Sequence, residues 1–166
     1  MAITAECVLP ERLLSQVTKL LPSEVAFTHV ISIENIGAFI EIELKPHCLF
    51  LYTPGHHTRL AQQFIRMLPA SVTWVHFGDL DQAGINIGLR MAASLHRPYK
   101  PLLPRNLQEI ATRYGKPVIR GAKEQDGNMR GKLPWQLDKL NPELAARLAP
   151  LIEQELWLEQ EVIVMC

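Results

Sequence analysis

Apolar positions along the chain fall into short, β-branched runs separated by stretches of helical period. "FTHVISI" (27–33), "CLFLYT" (48–53) and "VTWVHF" (72–77) are apolar at most positions, the composition of strands buried on both faces. Pro54-Gly55 ends the second run. "PERLLSQVTKLL" (10–21) places Leu13, Leu14, Val17, Leu20 and Leu21 at helical spacing. "HTRLAQQFIRML" (57–68) and "INIGLRMAASL" (85–95) follow the second and third runs as further helices, and "ENIGAF" follows the first as a short helical turn. Strands separated by helices of this length imply crossover connections, hence an α/β fold with a mostly parallel sheet covered on both faces.

Beyond residue 96 the pattern changes. "HRPYKPLLPRN" carries three prolines and has room for a short edge strand, and "NLQEIATRY" (106–114) reads as a helix stopped by Gly115. "GAKEQDGNMRGKLP" is polar and glycine-rich, so residues near 115–133 are expected as a basic mobile loop. Residues 142–163 are expected as one long C-terminal helix, with Asn141 as cap and Pro142 in its first turn. Neither an internal repeat nor a linker divides residues 1–166, which read as one domain.

Composition excludes several classes. At 166 residues, 48% hydrophobic and 20% charged, the chain can bury a core and is not disordered. No run approaches the roughly 18–20 uninterrupted apolar residues of a membrane span. Glu6 and Glu11 stand where a signal peptide needs a basic start and an apolar core, so a cytoplasmic location without membrane association is expected. Cys7, Cys48 and Cys166 are far apart and odd in number, which points to reduced thiols. The zero net charge hides a segregation: residues 1–89 carry five Lys/Arg against eight Asp/Glu, residues 90–132 ten against three, and residues 133–166 two against six. The central basic block suits a phosphate backbone, or equally a solvated face that balances acidic neighbours.

"VHFGDLDQAG" (75–84) concentrates the chemistry. Asp79 and Asp81 are spaced i, i+2, about 6.6 Å apart on one side of a strand if the extended conformation persists. Two carboxylates held close repel each other unless a cation sits between them. Oxygen ligands suit Mg2+ or Mn2+, and Mg2+ takes one or two protein carboxylates and leaves its other positions to water and substrate phosphate. In open parallel sheets, ligands bind outside the carboxyl ends of the strands, where Gly84 would let the chain turn into the next helix. The competing reading is that Asp81 only caps that helix while Asp79 sits in solvent. Glu34 closes the first strand in "VISIEN". Alone it is a cap or a solvated side chain, but if the first and third strands are neighbours, three carboxylates reach one crevice.

A glutamate closing the first strand, a DxD closing the third and a glycine just after it resemble the Toprim fold of topoisomerases, primases and several nucleases. "ISIENIGAF", "LYTPGHHTRL", "VHFGDLDQAG" and "LWLEQEVI" together resemble the C-terminal Toprim domain of the nuclease subunit of Wadjet anti-plasmid defence systems, a relative of the topoisomerase VI A subunit's Toprim domain. The resemblance implies a Toprim-like, Rossmann-like sheet of about four strands. It assigns Glu34, Asp79 and Asp81 to catalysis and to binding Mg2+ or Mn2+. It also implies divalent-metal-dependent hydrolysis of DNA, SMC-like partner subunits and a homodimer. Pro54 stands where those relatives have the first of two glycines. Their large N-terminal region has no counterpart here, so a fragment, a truncated gene or a minimal homologue is expected. The cleaving tyrosine of topoisomerase VI lies on a separate preceding domain, whereas Tyr52, Tyr99 and Tyr114 fall within this one.

Other residues carry weaker signals. His56 and His57 follow a strand and could touch phosphate or metal, though adjacent histidines point apart and more often cap a helix. Among Arg90, Arg97, Lys100, Arg105, Lys123, Arg130 and Lys132, the pair Lys123 and Arg130 is favoured for DNA contact because a loop can fold around a strand. Glu159 and Glu161 diverge if helical, and a solvated face is favoured over an added ligand. Trp74, Trp135 and Trp157 read as core or interface anchors. Three functions stay open. The first is a metal-dependent DNA endonuclease of a defence complex. The second is a haloacid-dehalogenase-type phosphatase, against which Ala83 stands where that family has threonine or valine. The third is a non-catalytic metal- or partner-binding module.

Overall fold

The computed structural model describes residues 27–54, 59–118, 122–123, 129–130, 135–136, 138 and 140–164. The expected helix over 10–21, His56, His57, Lys132, Cys7 and Cys166 lie outside them. Strands β1 (His29–Ile33), β2 (Cys48–Tyr52) and β3 (Thr73–Phe77) form a parallel sheet of order β2-β1-β3. Ile33 sits opposite Tyr52 on one side and Phe77 on the other. The edge strand expected in the proline-rich stretch is a single bridge between His76 and Pro101, made by His76 N–H to Lys100 O (2.9 Å) and Leu102 N–H to His76 O (2.8 Å).

Strand periodicity sends alternate residues to opposite faces of the sheet. Val30 and Trp74 meet Phe64, Ile65 and Leu68, from helix α2 (Arg59–Met67) and the turn after it, and Met91, Ala92 and Leu95 of helix α3 (Gln82–Leu95). Ile31, Ile33 and Phe77 meet the opposite layer, Ala38 of helix α1 (Ile36–Glu41) and Ile163 and Val164 at the C-terminus. The α/β fold with helices on both faces of a parallel, Rossmann-like sheet therefore stands. A further core joins Leu80 and Ile85 to helix α4 (Leu107–Tyr114) and helix α5 (Pro142–Ile152).

One C-terminal expectation is corrected. The helix foreseen over 142–163 begins as expected, with Asn141 Oδ1 accepting from Leu144 N–H (2.8 Å), but it ends at Ile152. The chain turns through Glu155, whose φ is 49°, and continues as strand β7 (Leu156–Trp157) and helix α6 (Gln160–Val164). Residues of "LWL" find backbone partners that outweigh helical continuity: β7 pairs antiparallel with β4 (Lys116–Pro117), and Leu158 exchanges two hydrogen bonds with Leu80 (2.9 and 3.2 Å). Within the stretch foreseen as a loop, β5 (Ala122–Lys123) pairs antiparallel with β6 (Met129–Arg130).

Candidate functional site

The rim of the sheet is built by the register of β1 and β3. Because Ile33 lies opposite Phe77, Glu34 and Gly78 come next on adjacent chains, and Glu34 N–H donates to Phe77 O (3.1 Å). Glu34 and Asp79 thus leave neighbouring strand ends, as the reading of three converging acids required. Both are half-buried.

Their side chains are held differently. Glu34 Oε1 bonds His76 Nε2 (3.1 Å), and its side chain is 16% exposed. A Cβ on Gly78 would stand 3.3 Å from Glu34 Oε2 and from His76 Nε2, so the absent side chain makes room for the carboxylate. Asp79 Oδ1 accepts from Gln160 N–H (3.1 Å). Asp81 is 2% exposed and caps α3, its Oδ1 accepting from Gly84 N–H (2.7 Å). At Gly84 a Cβ would stand 2.3 Å from Asp79 O, so only glycine lets the DxD turn lie against the helix start. The cap considered for Asp81 is present, while Asp79 is bonded to the C-terminal segment rather than left in solvent.

The oxygen donors at this rim match the chemistry of Mg2+ or Mn2+. Their arrangement is less gathered than a three-acid cage: Glu34 faces His76, Asp79 faces Gln160 and Asp81 faces into the cap. Among the described residues no group of three or more His, Cys, Asp or Glu is placed to hold a metal ion.

The C-terminal segment closes the rim from the Phe77 side. Gln160, 1% exposed, accepts from Asn35 N–H through Oε1 (2.8 Å) and donates from Nε2 to Phe77 O, tying the ends of β1 and β3 together. Asn35 caps α1 and donates through Nδ2 to Glu161 Oε1 (2.6 Å). Sequence reasoning missed this clasp because the helical reading of 142–163 hid it. It also missed Ser32 and His76, although polar residues inside apolar strand runs were a visible signal.

The basic residues divide. Arg97 is committed to structure, donating to the carbonyls of Val72 (2.7 Å), Leu68 (2.6 Å) and Pro69 (3.2 Å). Arg90, Lys100 and Arg105 are exposed. Lys116 pairs with Glu159 (2.6 Å) and lies over the Trp157 ring. Lys123 and Arg130 lie on the β5–β6 ribbon. Trp74 is core, as expected. No described helix is long and apolar enough to cross a membrane.

Residues 5–165 match the family model described as "Wadjet protein JetD, C-terminal". The chain belongs to the Wadjet JetD C-terminal family. That membership supports a role in a defence system and in its multi-subunit complex. No curated protein matches the chain.

Proposed function

We propose that this JetD C-terminal chain is the DNA-cutting domain of its defence complex, with a Toprim-like phosphodiester-hydrolysis site at the carboxyl ends of β1 and β3. The observation that supports it most is the parallel pairing of these strands, which brings Glu34 and Asp79 to one rim where α/β sheets bind ligands. Mg2+ or Mn2+ is part of the reading, with Glu34 and Asp79 as the groups to hold it and Asp81 anchoring the turn that carries Asp79. Such an ion supplies polarisation of a phosphoryl oxygen and charge stabilisation when bound. Glu34 is the group suited to moving a proton at the reacting oxygens. Arg90, Lys100 and Arg105, with Lys123 and Arg130 on the ribbon, would track the DNA backbone. SMC-like subunits would deliver the DNA, and a second copy of the chain would complete a homodimer.

The test is cleavage of supercoiled plasmid by the purified chain in Mn2+ or Mg2+, against Glu34→Gln, Asp79→Asn and a chelator control. Wild type should nick or linearise plasmid, and each variant should lose roughly 10²- to 10⁴-fold in rate. Equal cutting by wild type and variants would expose a contaminant and sink the proposal. Hydrolysis of small phosphomonoesters without plasmid cutting would identify a phosphatase. Neither activity would leave the non-catalytic module.

A further inference from the structure

A chain of polar groups runs beneath the rim, through a layer that is otherwise apolar. Trp74 Nε1 lies 3.0 Å from Ser32 Oγ, Ser32 Oγ lies 2.9 Å from His76 Nδ1, and His76 Nε2 lies 3.1 Å from Glu34 Oε1. Ser32 and His76 face each other across paired strands, and Trp74 and Glu34 stand two residues away on the same face. Ser32, Trp74 and His76 are all buried, and the His76 side chain is 0% exposed. The Tyr99 ring walls the chain off, its centroid 6.3 Å from that of His76 and 6.4 Å from that of Trp74.

The two ends give the chain a direction. An indole N–H can only donate and an ionised carboxylate can only accept. Trp74 therefore donates to Ser32 Oγ. Of the two acceptors that the Ser32 hydroxyl reaches, Val75 O at 3.4 Å and His76 Nδ1 at 2.9 Å, His76 Nδ1 is the closer and is taken as the one it serves. With Nδ1 accepting, a neutral imidazole carries its proton on Nε2 and donates it in a hydrogen bond to Glu34 Oε1. Each donor has an acceptor, which a buried polar network requires.

We propose that His76 is a positioning residue for Glu34: Ser32 and Trp74 set its tautomer and ring orientation, and its Nε2–H holds Oε1 so that Oε2 stays over Gly78 at the rim. This inference rests on the reading of Glu34 as the reactive acid of the site. Groups that orient reacting carboxylates typically contribute about 10- to 100-fold to activity.

Two measurements on the intact chain decide it. Long-range proton–nitrogen correlation spectra of histidine-labelled protein should show His76 protonated at Nε2. A ring with no proton on Nε2 overturns the proposal whether or not the chain cuts DNA. In plasmid cleavage with Mn2+, His76→Phe should lower kcat roughly 10- to 100-fold at unchanged KM. His76→Gln, whose side-chain amide can still donate to Glu34, should recover most of that loss. Wild-type kcat in folded His76→Phe, or equal losses in both variants, overturns the proposal. If His76→Phe does not fold, His76→Gln and Ser32→Ala take its place, with Ser32→Ala expected to lower kcat while KM holds and unchanged kcat in Ser32→Ala counting against the chain. An inert wild-type protein refutes the nuclease reading instead, and the proposal's use of Glu34 falls with it even if the nitrogen spectrum shows the Nε2 proton.

Discussion

At the scale of single residues, Asp81 separates charge from hydrogen bonding. Its Oδ1 caps α3 through Gly84 N–H, and asparagine can present the same acceptor. Asp81→Asn should unfold in urea within about 0.5 kcal/mol of wild type, whereas Asp81→Ala should lose roughly 0.5–2 kcal/mol. Gly88 is limited by space: a Cβ there would stand 2.2 Å from Tyr99 Cε2 and 2.9 Å from His76 Cδ2. Gly88→Ala should cost about 1–3 kcal/mol by overpacking, read from the urea midpoint. Tyr99 itself carries a pH dependence. Burial first, and the charge of Glu34 second, raise its hydroxyl well above the usual tyrosine value. A raised acid means that the folded state holds its proton more tightly than the unfolded chain does. The associated stability is complete below about pH 10 and is lost as pH rises through the raised value. Thermal melts between pH 9 and 11, the scan bracketing about pH 10, should show that loss in wild type and less of it in Tyr99→Phe.

At the scale of elements, Arg97 joins α3 to the end of α2. Its guanidinium collects the carbonyls of Leu68, Pro69 and Val72, groups that the end of α2 and the following turn leave without helical partners. Lysine keeps the charge but not the planar fork. Arg97→Lys should lower stability by roughly 1–2 kcal/mol in denaturant titration while leaving the salt dependence of DNA affinity unchanged. A substantial fall in that salt slope would instead return Arg97 to the DNA surface. The short strands β4 and β7 follow the same logic, since each exists by pairing with a segment distant in sequence, whereas β5 pairs with the nearby β6.

At the scale of the whole molecule, Gln160 is the clasp between the C-terminal segment and the sheet. One side chain serves Asn35 N–H and Phe77 O, and its backbone N–H serves Asp79. Gln160→Leu would strand the Asn35 N–H, at a cost of about 1–3 kcal/mol, while Phe77 O keeps the Glu34 N–H (3.1 Å). The melting temperature should drop and the Asn35 amide should exchange faster by hydrogen-exchange NMR. Unchanged exchange at Asn35 would show that the clasp is dispensable.

Much of the fold was legible because strand and helix periods are local properties. The apolar runs ending at Ile33, Tyr52 and Phe77, the Asn141 cap and the helices after each strand all follow from neighbours in sequence. So did the positions of Glu34 and Asp79 at strand ends. What the sequence by itself determined was therefore which residues form elements and which chemical groups close them. Only the tertiary structure decided that β1 lies between β2 and β3, that Glu34 bonds His76, and that Leu158 leaves a helix to pair with Leu80. These are pairings between chain positions far apart in sequence. Local propensity is worth a few tenths of a kcal/mol per residue, and a buried backbone group that finds a distant partner outweighs it.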